Sequence, residues 1–211
     1  MNEVRSALTG RCDGSKAVAA IVIEPTNAQT GYTASSSFIS ELASLARQND
    51  AALVVDETNT CLGATGQGFW QYNGNADYVA FGKRMQVSGF FSDQKAGRRD
   101  LNLSDNQLGL QTLETINAVM SERDLNSQVE RVGNALDSQI AQASDSSRIN
   151  AIRRVGTSVW VDTNDSRGLY THLRENGVLT KLNGERGIIA RPALTLESEQ
   201  ASPFFQALRK F

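Results

Sequence analysis

Two uninterrupted apolar runs limit what this chain can fold into more than any other feature. Residues 17–23 read Ala-Val-Ala-Ala-Ile-Val-Ile, and residues 51–55 read Ala-Ala-Leu-Val-Val. Both are far short of the roughly 20 residues of a membrane helix, and neither alternates in polarity, so each is expected to be a strand covered on both faces. Between them come Glu24 and Pro25, a polar loop with Asn27, Gln29, Thr30 and Gly31, and serines at 35–37. Phe38, Ile39, Leu42, Leu45 and Ala46 then recur at helical spacing. Proline removes a ladder donor and ends the first strand, while a serine hydroxyl accepts from the first helical amides and caps the helix. The order strand, amphipathic helix, strand is a crossover and requires a parallel pair. The expected class is α/β.

Further along, residues 77–82 read as a third strand and 89–92 as a fourth, with a glycine-rich loop (Gly63, Gly66, Gly68) before them and an irregular charged loop over 93–105 after them. Leu110, Leu113, Ile116, Val119 and Met120 mark one helix, and Leu125, Val129, Val132, Leu136 and Ile140 a longer one. Beyond a polar stretch at 142–147 the elements shorten. A strand is expected over 157–162, a helix over 167–176 stopped by Gly177, strands over 178–182 and 188–192, and a terminal helix over 204–211. The expected division is a large-domain part at 1–147 and a small α+β domain at 148–211. Residues 1–16 are polar and predict little.

Charge removes several function classes. Lys plus Arg total 21 against 23 acids, a net charge of −2, so no basic field draws the chain to nucleic acid or anionic lipid. No signal-peptide apolar region follows Met1, and a soluble protein is expected. Cys12 and Cys61 have neither metal-ligand spacing nor the pattern of a disulfide framework, which favours a reducing compartment. The glycines at 63–68 do not match a phosphate-binding fingerprint. The single histidine, His172, lies in a helix with no ligand partner at metal spacing, so no metal site and no Ser-His-Asp arrangement is expected.

Asp56 and Lys83 stand out by position. Each follows an apolar strand, and the carboxyl ends of parallel strands form the rim where open α/β sheets bind ligands. An acid and an amine on one rim suit a pyridine ring bearing an aldehyde, the carboxylate holding the ring nitrogen protonated and the amine condensing with the carbonyl.

The wider pattern carries a resemblance. Ile23-Glu24-Pro25, then Val55-Asp56-Glu57-Thr58-Asn59-Thr60 with its glycine-rich loop and Gly68-Phe69-Trp70, then Phe81-Gly82-Lys83-Arg84-Met85 with Gly89-Phe90-Phe91, and finally Ala190-Arg191-Pro192 occur in order. From about Lys16 to Phe211 the chain resembles the C-terminal half of class III pyridoxal-phosphate aminotransferases. The double Phe and the Gly-Phe-Trp favour the eukaryotic-type 4-aminobutyrate aminotransferase branch. That resemblance implies the later part of a fold-type I large domain and its small domain, pyridoxal 5'-phosphate as cofactor, and transamination of 4-aminobutyrate with 2-oxoglutarate in a homodimer of the mitochondrial matrix or cytoplasm. Other ω-aminotransferase substrates (ornithine, lysine, a β-amino acid) and a catalytically silent interaction partner are the alternatives.

By the same resemblance, Lys83 matches the Schiff-base lysine and proton carrier, and Asp56 the partner of the pyridine nitrogen. Asn59 stands where the family usually has a glutamine on the ring hydroxyl. Glu24 and Arg191 match a pair in which the glutamate neutralises the arginine while an ω-amino acid is bound, then releases it to grip an α-carboxylate. A guanidinium suits that task because it binds a carboxylate through two parallel hydrogen bonds. Asn102 or Ser104 falls where the family places a phosphate-binding threonine from the neighbouring subunit. The family's phosphate cradle precedes the matching region, and strands in that earlier part pair with this sheet, so an open apolar edge is expected.

Overall fold

The computed structural model describes residues 1–9, 17–72, 74–93 and 106–211. Cys12, Asn102 and Ser104, and the expected surface loop beyond residue 93, lie outside the described residues. The chain forms two compact units that part within one helix, between Asn117 and Ala118. Residues 27–32 and 63–69 pack with the later unit.

The first unit holds α1 (Asn2–Thr9), β1 (Ala20–Ile23), α2 (Ser36–Gln48), β2 (Ala52–Asp56), β3 (Tyr78–Phe81) and β4 (Gly89–Phe91). The strands form one sheet in the order β1-β2-β3-β4. β1 and β2 are parallel, as the crossover demands, and so are β2 and β3; β4 returns antiparallel. Helix α2 starts where a cap was expected, with Ser35 Oγ accepting from Phe38 N at 3.2 Å. Its Ile39, Leu42, Leu45 and Ala46 are buried with Leu53 and Val55 of β2 and with Leu8. Helix α1 was not foreseen, because its polar octapeptide offers only a one-sided stripe.

One expectation fails here. Residues 17–23 are not covered on both faces among the described residues: β1 begins only at Ala20, and Val22 is 66% exposed. The physical reason is position. β1 is an edge strand of the described sheet, and α2 covers the face that bears Leu53 and Val55, leaving the face of Val22 open.

Helix α3 (Gln107–Glu122) spans the division, and α4 (Leu125–Ala143), β5 (Ala151–Val155), β6 (Ser158–Asp162), α5 (Ser166–Glu175), β7 (Lys181–Leu182), β8 (Gly187–Ala190) and α6 (Ser202–Lys210) belong to the second unit. Its sheet is antiparallel in the order β5-β6-β8-β7. Leu136 of α4, Val159 and Val161 of β6, Leu169 and Leu173 of α5, Ile188 of β8 and Phe205 and Leu208 of α6 form its core. β5 was missed by the sequence reading, since Arg153 and Arg154 interrupt it; the structure pairs them with Asp162 and Asp137. The strand expected over 178–182 shrinks to two residues, and Leu179 is exposed. No helix among the described residues is long and apolar enough to cross a membrane.

Candidate active site

Because β2 and β3 are parallel neighbours, their carboxyl ends emerge side by side. Asp56 is the last residue of β2 and pairs with Ala80 of β3. The chain then turns tightly: Glu57 N donates to Ala80 O at 2.9 Å, Thr60 N and Cys61 N donate to Glu57 O, and Asp56 Oδ1 accepts from Thr58 N at 2.9 Å. This turn carries Asn59. On the neighbouring strand, Gly82 follows β3 and Lys83 enters a short 3-10 turn with φ +51°. The left-handed region is uncommon for a residue with a side chain, and such strain clusters at functional sites. From there Lys83 Nζ donates to Asn59 Oδ1 at 2.5 Å. A neutral amide orients the amine while placing no negative charge beside it. The rim therefore gathers an acid, an amide and an amine on two adjacent strand ends of the first unit.

Glu24 is half-buried just past the carboxyl end of β1, also in the first unit. Arg191 is exposed immediately after β8 in the second. Its Nη2 donates to Ala28 O at 2.5 Å, and its guanidinium lies 5.5 Å from the Trp160 ring centroid. Ala28 O also accepts from Trp160 Nε1 at 3.1 Å, and Arg153 Nε donates to Thr30 O at 2.6 Å. Gly31, at φ +70°, lies so close to the Trp160 ring that a Cβ would stand 2.5 Å from it. Residues 27–32 are thus gripped by side chains of the same unit as Arg191. His172, expected to be structural or exposed, has Nε2 3.0 Å from Ala207 O and its ring beside Phe211. Among the described residues no group of His, Cys, Asp and Glu is arranged to hold a metal.

Sequence reasoning passed over Glu57. Its side chain is fully buried, with Oε1 accepting from Tyr72 N at 2.7 Å and Oε2 from Thr60 Oγ1. Burial pushes its carboxyl above the ordinary value, opposed by the hydrogen bonds from Thr60, Tyr72 and Gln71, with Asp56 adding to the push. The signal was available: Leu53, Val55 and Glu57 lie two residues apart, so Glu57 continues the core-facing side of β2 while Asp56 faces the other way. Cys61 is also buried, which pushes its thiol up and away from the reactive thiolate form.

The first unit is an α/β sheet with a β-α-β crossover, and its rim bears a lysine and an aspartate. The Aminotransferase class-III family matches residues 3–211, so the chain belongs to the class-III aminotransferases. Among curated relatives, the mitochondrial 4-aminobutyrate aminotransferases of Mus musculus and Homo sapiens are each 31% identical, the alignment covering 97% of this chain and 44% of theirs. The 4-aminobutyrate aminotransferase of Mycosarcoma maydis is 27% identical over the same shares. The chain spans less than half the length of these relatives. Among solved structures, Plasmodium falciparum ornithine δ-aminotransferase superposes with a TM-score of 0.84 at 20% identity, covering 99% of this chain and 57% of that one. Acetylornithine aminotransferase from Elizabethkingia anophelis gives 0.78 at 22%, covering 90% and 53%. At these identities the likeness is one of fold.

Proposed function

We propose that this chain carries the ring-binding and amine-bearing part of a pyridoxal-phosphate aminotransferase that transfers the amino group of 4-aminobutyrate to 2-oxoglutarate, acting as a homodimer. The observation that carries the reading is the rim itself: Lys83 sits in left-handed backbone at one strand end, with its amine on Asn59 of the turn that begins at Asp56. These donors fit the cofactor's ring. Asp56 is half-buried with one oxygen engaged locally by Thr58 N, and a carboxylate there holds a proton on a ring nitrogen. Lys83 would be the amine that holds the cofactor's aldehyde carbon and the group that moves a proton at the substrate carbon. Asn59 holds that amine in place. When bound, pyridoxal phosphate supplies the electron sink that makes loss of the substrate proton feasible. Arg191 would bind the α-carboxylate of the oxo acid, its guanidinium leaving Ala28 O to do so. A family-level boundary after residue 147 belongs to the same proposal; α4, which precedes it, packs Leu136 and Ala143 into the core of the second unit.

The test adds pyridoxal phosphate to the full chain, reduces with borohydride and maps the pyridoxyl label. The expected result is a label confined to Lys83 and lost when 4-aminobutyrate is added before reduction; Lys83→Arg leaves no label. Label scattered over surface lysines would overturn the reading. It would favour instead a silent interaction partner, a second reading supported by the exposed Val22 and Phe90 on the sheet.

A further inference from the structure

The turn that begins at Asp56 is built on one residue. Backbone N–H of Glu57 ties it to the end of β3 through Ala80 O, and the Glu57 carbonyl receives the amides of Thr60 and Cys61. Its carboxyl takes Thr60 Oγ1 on one oxygen and Tyr72 N on the other. Cys61 Sγ in turn reaches Gly82 O at 3.8 Å, one residue before Lys83. Residue 70, next to this clamp, packs its indole against Phe81 and Phe91, with centroids 6.5 and 5.5 Å away. A fully buried carboxyl is costly unless it is hydrogen-bonded, and both oxygens of Glu57 are engaged.

We propose that Glu57 is a positioning residue of the rim: by joining Thr60 and Tyr72 through one buried carboxyl, it holds the 70–72 segment on the Asp56–Asn59 turn and thereby fixes Asn59 where it meets Lys83. It acts through Asn59 and touches no reacting atom. The inference rests on the functional reading above only for what the rim is used for; the clamp itself is independent of any cofactor.

The experiment compares the parent chain with Glu57→Gln, Glu57→Leu and Thr60→Val. Gln keeps an acceptor for Tyr72 N and offers an amide to Thr60 Oγ1, whereas Leu keeps the volume and loses both contacts. Two readouts are taken without cofactor: hydrogen exchange of a peptide containing the Tyr72 amide, and competitive acetylation of Lys83 against Lys210 as internal standard. Glu57→Leu is expected to speed Tyr72 exchange about tenfold, as befits a lost hydrogen bond to a carboxyl, and to bring Lys83 acetylation to the rate of Lys210. Glu57→Gln should restore the parent's behaviour in both. If Glu57→Leu does not fold, Thr60→Val, which removes one arm of the clamp, should move both readouts in the same direction. A folded Leu or Val variant with parent-like exchange and acetylation overturns the proposal, as does failure of Gln to restore them in a folded chain. A scattered pyridoxyl label on the parent, with these differences intact, would sink the cofactor reading and leave the clamp standing.

Discussion

At the scale of single residues, the rim contrasts two adjacent acids. Asp56 and Glu57 are neighbours in sequence, yet strand geometry sends them to opposite faces, so one is half-open and the other fully buried. Burial disfavours the charged form of Glu57, and the native state therefore holds its proton to higher pH than the unfolded chain, where a glutamate titrates near about 4.3. The sign follows: the stability contributed by this proton is full below the unfolded value and is lost as pH rises through the raised native one. Its titratable neighbours are Asp56 and Cys61. Glu57→Gln cannot ionise and escapes that loss. Urea unfolding of parent and variant, run from about pH 4 to 7, should show the parent losing stability relative to Gln as pH rises. A difference that stays level across the range would mean that the carboxyl is not shifted upward.

At the scale of elements, those elements that declare themselves through local chemistry are also those the sequence makes visible. Ser35 caps α2 through a bond that a serine cluster before an amphipathic stretch already implies. Ser35→Ala should cost about 1 kcal/mol in urea unfolding, with no change in the dependence on denaturant. A loss near zero would mean that water or Ser37, whose hydroxyl lies 3.0 Å from that of Ser35, serves as well. The β1-α2-β2 crossover, both long helices and the placing of Asp56 and Lys83 at strand ends are similarly legible, because periodicity and strand length encode them directly. What stays hidden depends on partners far along the chain. β5 is a strand because Arg153 finds Asp162, and the 27–32 loop is ordered by Trp160 and Arg191 more than 120 residues later, pairings that no local window contains. The Lys83–Asn59 contact belongs to the same kind: it needs a left-handed lysine, which propensity argues against.

At the scale of the whole molecule, the first unit carries a consequence of α2 packing on the Leu53 and Val55 face of its sheet. Strand register places Val22, Val54 and Tyr78 in one row across the sheet and Asp56, Ala80 and Phe90 in the next, on the face opposite the buried Leu53 and Val55. Val22 is 66% and Phe90 53% exposed, and β4, the edge strand of the described sheet, has only three residues, Gly-Phe-Phe. Monomeric proteins seldom leave a contiguous apolar surface of this kind in water, and an unblunted edge adds backbone groups ready to pair. The purified chain should therefore bind a hydrophobic dye and elute, in a concentration-dependent manner, ahead of a 22.9 kDa monomer. Replacing Val22 and Phe90 by lysine puts charge on the open face and on the edge, the device natural sheets use against pairing. The double variant should lose most of the dye signal and shift toward the monomer, while its circular dichroism stays that of the parent, since neither side chain contributes to the buried core. A parent that is monomeric and dye-silent at all concentrations would show that the face is covered in solution, and the second, non-catalytic reading would lose its support with it.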